Sequence, residues 1–299
     1  MSLLESVPNL SEGRRLEVVE ALYEAALRPG VYRLDRSADS DHNRAVITLA
    51  GKPDALVDGL VALARAAIET IDLNRHQGAH PCIGALDVAP FVPLGDQPMS
   101  AAVAAARDLG ERLAAELELP VYLYEEAATS PERRNLATIR RGGFGALAEK
   151  MGRTDGAPDF GPARPHPTAG ATAVGARFFL VAFNVVLETD DVGAARRIAA
   201  RLREASGGLP AVKALGVDLA SRRRAQVSMN LVDYRQTDIP TAFEHVAAQA
   251  AREGTTVLES EIIGLVPRAA LGGAGAQEIA LRGELDARIL ENRLAAEIP

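Results

Sequence analysis

Apolar positions follow a period of three to four residues in some stretches and a period of two in others. After a short apolar start at residues 3–7, Leu16, Val19, Leu22, Tyr23, Ala26 and Leu27 fall on one face of a helix. Ser11 is placed to cap it, and Pro29 and Gly30 end it. Strand-like runs at residues 31–34 and 45–49 are joined by the polar segment 35–44, and Leu56, Val57, Leu60, Leu63, Ala64 and Ala67 mark a second helix. The run 86–92 contains Pro90, which cannot donate to a ladder, so it is expected at a sheet edge or a strand end. A helix over residues 101–117, a strand over 121–124 and weaker helical patterns over 133–151 complete a βαββαβ order with additions.

Periodicity disappears over residues 152–170, where eight of nineteen positions are Gly or Pro. A loop of that length serves as a binding loop, a lid or a linker. The second half then reads as a strand over 178–187, a helix over 192–204, strands over 212–219 and 226–232, a helix over 241–251 and a strand over 257–263. This is a second βαββαβ order. Residues 277–296 carry the pattern of a charged amphipathic helix. The expected fold is therefore α/β (α+β): two ferredoxin-like βαββαβ subdomains, each a mixed sheet with helices packed on it. The boundary is expected at residues 1–176 and 177–299.

With 299 residues and 47% apolar composition, the chain can fill two cores. Its net charge of -7 argues against a nucleic-acid binder, which needs clustered cationic excess. The longest apolar run falls short of the ~20 residues that cross a bilayer. The N-terminus, with Glu5 and Glu12, lacks the pattern of a signal peptide, and a single cysteine fits a reducing, cytoplasmic setting.

Candidate chemistry concentrates in residues 74–90, Asn-Arg-His-Gln-Gly-Ala-His-Pro-Cys-Ile-Gly-Ala-Leu-Asp-Val-Ala-Pro. His76 and His80 stand four apart, but Gly78 and Pro81 disfavour the continuous helix that a metal pair would need, so no metal is expected. Cys82 invites comparison with catalytic thiols but lacks any further signature of a cysteine hydrolase. The segment Ser37-Ala38-Asp39-Ser40-Asp41-His42-Asn43-Arg44 reads either as a structural turn or as an acid/base group in which a carboxylate orients an imidazole. In Gly161-Pro162-Ala163-Arg164-Pro165-His166-Pro167-Thr168-Ala169-Gly170, the glycines permit close backbone approach and Arg164 can pair with a carboxylate. A bare linker would look the same.

Several longer words join these. They are Val7-Pro8-Asn9-Leu10-Ser11-Glu12-Gly13, Asp41-His42-Asn43-Arg44, Arg75-His76-Gln77-Gly78-Ala79-His80-Pro81, Gly84-Ala85-Leu86-Asp87-Val88, Pro158-Asp159-Phe160-Gly161-Pro162 and Gly264-Leu265-Val266-Pro267. In this order, across nearly the whole chain, they resemble the glutamate formimidoyltransferase (glutamate formiminotransferase) family. The resemblance implies transfer of the formimidoyl group of N-formimidoyl-L-glutamate to N5 of tetrahydrofolate, the co-substrate, in histidine degradation and one-carbon metabolism. It makes His80 the catalytic histidine, with Asp39 as its orienting carboxylate. Gly161 through Gly170 becomes the folate loop, and His42, Arg44, Arg75 and His76 become candidates for the substrate carboxylates. It further implies a cleft between the two subdomains, a homodimer and, for a chain without a cyclodeaminase domain, a separate cyclodeaminase downstream. Residues 163–169 depart from the more aromatic, serine-containing stretch of animal relatives. Alternatives are a glutamate formyltransferase or 5-formyltetrahydrofolate-handling enzyme of the same family, and a non-catalytic folate-binding protein.

Overall fold

The computed structural model describes residues 3–40, 42–78, 81–153, 156–219 and 222–298. The chain divides into two compact units, Met1–Arg177 and Phe178–Pro299.

The first unit opens with β1 (Leu4–Ser6) and β2 (Asn9–Leu10), which act as one strand interrupted at Val7 and Pro8. There follow α1 (Leu16–Ala26), the hairpin β3 (Val31–Asp39) and β4 (Arg44–Gly51), α2 (Pro53–Thr70) and β5 (Leu86–Pro93). Both β1 and β2 pair antiparallel with β4 on one side and β5 on the other, while β3 pairs with β4. This is the ferredoxin-like arrangement. After α3 (Met99–Leu117), β6 (Val121–Glu125) and β7 (Thr172–Ala176) extend it, β7 lying parallel to β5 and to β6. The result is a seven-stranded mixed sheet.

Helices α1, α2 and α3 cover one face, burying Leu22, Leu60 and Leu109 with Leu49, Phe91 and Leu123. Each fully buried leucine stabilises the unit by about 1.5–3 kcal/mol. Two short helices, α4 (Leu136–Arg140) and α5 (Leu147–Met151), place Ile139, Leu147 and Met151 in a second cluster with Val88, Tyr122 and Ala173.

Several expectations need correction. Residues 35–39 and Arg44 belong to the strands of a long hairpin rather than to a loop, since β3 and β4 stay paired from Val31 and Gly51 to Asp39 and Arg44. As β3 is an edge strand, its polar side chains face water and hide the strand period. Pro90 lies in an interior strand, not at an edge. Continuing the register places it opposite Val7, where the ladder is already broken, so its missing N–H costs no bond there. Ser11 does not cap α1. Its hydroxyl donates to the Gly84 carbonyl at 2.7 Å, and Glu12 instead accepts from the N–H groups of Arg14 and Arg15 at 2.9 and 3.0 Å. Strand β7 falls in a run of small residues that shows no alternation. Its Gly175 packs so closely on Tyr124 that a Cβ would stand 2.4 Å from the ring.

The second unit consists of β8 (Val181–Leu187), α6 (Val192–Leu202), β9 (Val212–Leu219), β10 (Arg224–Leu231), α7 (Ile239–Arg252) and β11 (Val257–Ile263). Asp191 and Asp238 cap the two helices through the N–H groups of Gly193 and Thr241 at 2.8 and 3.0 Å. Sheet order is β11-β8-β10-β9, and all three pairings are antiparallel where a mixed sheet was expected. Each helical crossover skips one strand position, which an antiparallel strand fills, β10 between β8 and β9 and β8 between β10 and β11. Phe183, Val185, Ile198, Val246 and Ile262 form the core.

The helix expected over residues 277–296 is confined to α8 (Leu290–Glu297). Ala280 and Gly283 adopt φ of 48° and 96°, and the carbonyl of Ala280 and the N–H of Arg282 bond to the Ser260 backbone at 2.7 and 2.9 Å. That stretch therefore completes a sheet edge instead of coiling.

Candidate functional site

Three of the sequence words converge at the tip of the β3–β4 hairpin. Asn43, at φ 48°, accepts from the Gly13 N–H through Oδ1 at 3.0 Å, donates through Nδ2 to the Gln77 carbonyl at 3.1 Å, and faces His76 Nδ1 at 3.3 Å. Close packing enforces the meeting: a Cβ on Gly13 would lie 2.3 Å from the Asp39 carbonyl oxygen, and one on Gly78 would lie 2.2 Å from that of His42. Sequence reading missed this role for Asn43, although it quoted the residue within its motif. His80 itself, the expected catalytic residue, lies outside the described residues, as do Asp41 and Ala79.

Asp39 ends β3 with its carboxylate turned to its own hairpin. One oxygen accepts from the His42 N–H at 2.8 Å, and the other stands 3.0 Å from His42 Nδ1. Both side chains are partly open to solvent. His76 is half-buried. Burial lowers its pKa, while the Ser11 backbone bond and the charges of Glu12 and Asp87 pull it upward and Arg14 adds to the lowering.

Arg44 turns inward. It donates to Asn9 Oδ1 through Nε at 3.0 Å and through a terminal nitrogen, and to Asp87 at 3.1 Å. Asp87 sits where β5 bulges against β2, since Asn9 pairs with Val88 and Leu10 with Leu86. The bulge aims the carboxylate at Arg44 and at Arg140 of α4, and its other oxygen accepts from the Ile83 N–H at 2.8 Å. Burial pushes the Asp87 carboxyl up, but Arg140, Arg44 and the Ile83 N–H together hold it below the ordinary carboxylate range. Burial, with the neighbouring Arg140 charge, lowers Arg44 to about 10, still charged at neutral pH. Cys82 lies beside this cluster, and burial raises its pKa, so it is a thiol near neutrality.

Beside the hub opens a pocket of about 340 Å³ whose walls include Ser11, Arg14, Asn43, Asp72, Arg75 and His76. Arg75 is exposed there, and Arg14 donates through Nε to the Ser40 carbonyl at 2.9 Å. Of the four expected substrate ligands, Arg75 and His76 line this pocket, whereas Arg44 points into the sheet. Arg14 was not singled out by the sequence.

The loop Gly161–Gly170 is tied to the histidine segment on both sides. The Leu73 N–H donates to the Thr168 carbonyl at 2.8 Å, Asn74 Nδ2 to the Pro167 carbonyl at 2.9 Å, and the Ala85 N–H to the Ala169 carbonyl at 3.0 Å. The loop also closes on itself through paired backbone bonds between His166 and Gly170 at 2.8 and 3.0 Å. His166 Nδ1 accepts from the Ala169 N–H at 3.1 Å, and burial lowers its pKa. A second pocket of about 620 Å³ lies between Pro162, Arg164, Pro165 and Pro167 of this loop and Arg65 and Glu116 of α2 and α3. Arg164 stands 3.8 Å from Glu118 and is largely exposed.

Among the described residues, no group of three His, Cys, Asp or Glu side chains is placed to hold a metal ion. No described helix is long and apolar enough to cross a membrane.

Comparison with known proteins places these motifs in context. Residues 3–177 match the family model of the formiminotransferase domain, N-terminal subdomain, and residues 182–286 match that of the formiminotransferase domain. The chain is 45% identical over 270 residues to a glutamate formimidoyltransferase of Streptococcus pyogenes, covering 90% of each chain. It is 44% identical to one from Thermoplasma acidophilum, covering 98% of each. Similarity to the formimidoyltransferase-cyclodeaminase of Mus musculus, at 41% identity, spans 99% of this chain but 57% of that protein.

Proposed function

This chain belongs to the formiminotransferase family, and we propose that it is a glutamate formimidoyltransferase that moves the formimidoyl group of N-formimidoyl-L-glutamate to N5 of tetrahydrofolate. One observation carries the reading furthest: the Gly161–Gly170 loop is hydrogen-bonded to residues 73, 74 and 85, on both sides of His80 in the chain. A folate held by that loop is brought to the segment that carries the acid/base residue.

N5 of tetrahydrofolate attacks the amidine carbon, giving a tetrahedral intermediate. The bond from that carbon to the glutamate nitrogen then breaks, and glutamate leaves with a proton on its nitrogen. His80 takes the proton from the attacking nitrogen and returns it to the leaving one, a task suited to an imidazole of pKa ~6.5. Asp39 is the carboxylate that orients or stabilises the His80 imidazolium; among the described residues it bonds His42. Arg75 and Arg14, on the pocket beside the hub, take the glutamate carboxylates, since guanidinium groups bind carboxylates through paired N–H donors. Arg44 acts from beneath, holding Asp87 and Asn9 in place.

In this reading residues 1–176 and 177–299 are the two subdomains of a cytoplasmic homodimer acting in histidine degradation and one-carbon metabolism. The test is a transfer assay with purified protein, tetrahydrofolate and either N-formimidoyl-glutamate or N-formyl-glutamate. The proposal requires 5-formimidoyltetrahydrofolate and an equal amount of glutamate. Preference for the formyl donor points to the formyltransferase alternative, and transfer from neither points to folate binding without catalysis.

A further inference from the structure

We propose that Asn43 is a positioning residue of the transfer site: its carboxamide locks His76 as the neutral imidazole protonated on Nε2 and pins residues 76–78, just ahead of His80, to the β3–β4 hairpin. The hydrogen-bond partners decide the geometry. A backbone N–H can only donate, so the Asn43 atom 3.0 Å from the Gly13 nitrogen is the carbonyl oxygen. The other side of the amide is therefore –NH2, with two hydrogens to place. One goes to the Gln77 carbonyl at 3.1 Å, and the other points at His76 Nδ1 at 3.3 Å. That ring nitrogen must offer a lone pair.

With Nδ1 taken as an acceptor, the proton of the neutral ring sits on Nε2. Protonating Nδ1 would set two donors against each other. Burial disfavours the imidazolium most strongly and Arg14 adds to that, outweighing the Ser11 backbone bond, Glu12 and Asp87, so the ring's surroundings already lean to the neutral form that the amide geometry requires. His76 is thus a fixed strut rather than a cationic ligand. Through it, Asn43 joins Gly13, the hairpin tip and the approach to His80.

A plainer explanation of Asn43 is its left-handed backbone, φ 48°, which asparagine tolerates better than most residues. Glycine would serve that need equally well. The kinetic half of this proposal rests on His80 as the proton shuttle, whereas the tautomer lock does not.

The test uses the full chain labelled with 15N-histidine, in the wild type and in Asn43→Asp and Asn43→Gly. Asn43→Asp keeps the acceptor for the Gly13 N–H, so the fold is retained, but sets a carboxylate against His76 Nδ1 and the Gln77 carbonyl. At pH 7 the wild-type His76 ring should show the neutral Nε2–H pattern, and Asn43→Asp the imidazolium pattern. Both variants should lose kcat by about 10- to 100-fold, the scale of a small misplacement near reacting groups, while both KM values stay within about twofold. Asn43→Gly turning over at the wild-type rate would reduce Asn43 to its backbone role and overturn the proposal. So would a wild-type His76 that is charged, or protonated on Nδ1, at pH 7. A wild-type protein that transfers nothing sinks the proposed function, and the spectrum then decides the tautomer lock by itself.

Discussion

The Arg44 guanidinium donates to the Asp87 carboxylate across 3.1 Å, and the acid has no exposed surface with which to recruit water instead. Arg140 approaches the same carboxylate from α4, so one negative charge on the interior strand β5 holds two positive ones next to Cys82. Removing one partner of a buried pair leaves the others desolvated and uncompensated. Asp87→Ala should lower stability by about 3–5 kcal/mol in chemical denaturation. A loss under about 1 kcal/mol would mean that water already shares the site.

Glu5 in β1 presents the opposite sign. Burial pushes its carboxyl up to about 7 from an ordinary 4.5, with the Arg177 charge pulling weakly downward. The folded protein holds this proton more tightly than the unfolded chain. The associated stability is therefore complete below about pH 4.5 and is lost as pH rises through 7, a decline of about 3 kcal/mol. Glu5→Gln, which cannot ionise, should flatten the fall in unfolding midpoint between pH 5 and pH 8. An identical slope in wild type and variant would show that Glu5 is already ionised at pH 5.

Gly170 closes the Gly161–Gly170 loop with φ of +70°, and a Cβ there would stand 2.1 Å from the Ile83 carbonyl oxygen. Gly170→Ala should strain the loop by about 1–3 kcal/mol and weaken tetrahydrofolate binding in a direct titration. An unchanged folate titration would separate the loop from the folate site.

Arg75 is exposed on the pocket beside the hub. If it binds a glutamate carboxylate, Arg75→Ala forfeits a charge-assisted hydrogen bond, ~1.5–3 kcal/mol, and raises KM for N-formimidoyl-glutamate by roughly 10- to 100-fold. The KM for tetrahydrofolate should not move. A rise in both would show that the residue shapes the site rather than reads the donor.

Elements with a strong period and a clear stop were legible in the sequence. Helix α2, with Pro53 at its start and Leu56, Leu60, Leu63 and Ala67 on its inner face, is one example, and the alternating strand β9 is another. What escaped depends on partners distant in the chain. β7 is a strand because β5 and β6 flank it, and Pro90 is tolerated in β5 because β1 and β2 part at Val7. Residues 280–282 bond to Ser260 instead of coiling. The same holds for the candidate site. Motif words located the hairpin, the histidine segment and the loop, yet the roles within them follow from contacts. Arg44 reads as a candidate ligand for a substrate carboxylate and folds against Asp87, while Asn43 lies in a segment that reads as a turn and joins three segments.

The most direct measurement compares wild type and His80→Ala in a single-turnover reaction with tetrahydrofolate and N-formimidoyl-glutamate, following 5-formimidoyltetrahydrofolate and glutamate together. Wild type should form both in equal amounts, and His80→Ala should retain its fold and substrate binding while slowing the chemical step by roughly 10²–10⁴-fold. Equal rates in the two proteins, or no transfer by the wild type, would contradict His80 as the proton shuttle of a formimidoyl transfer.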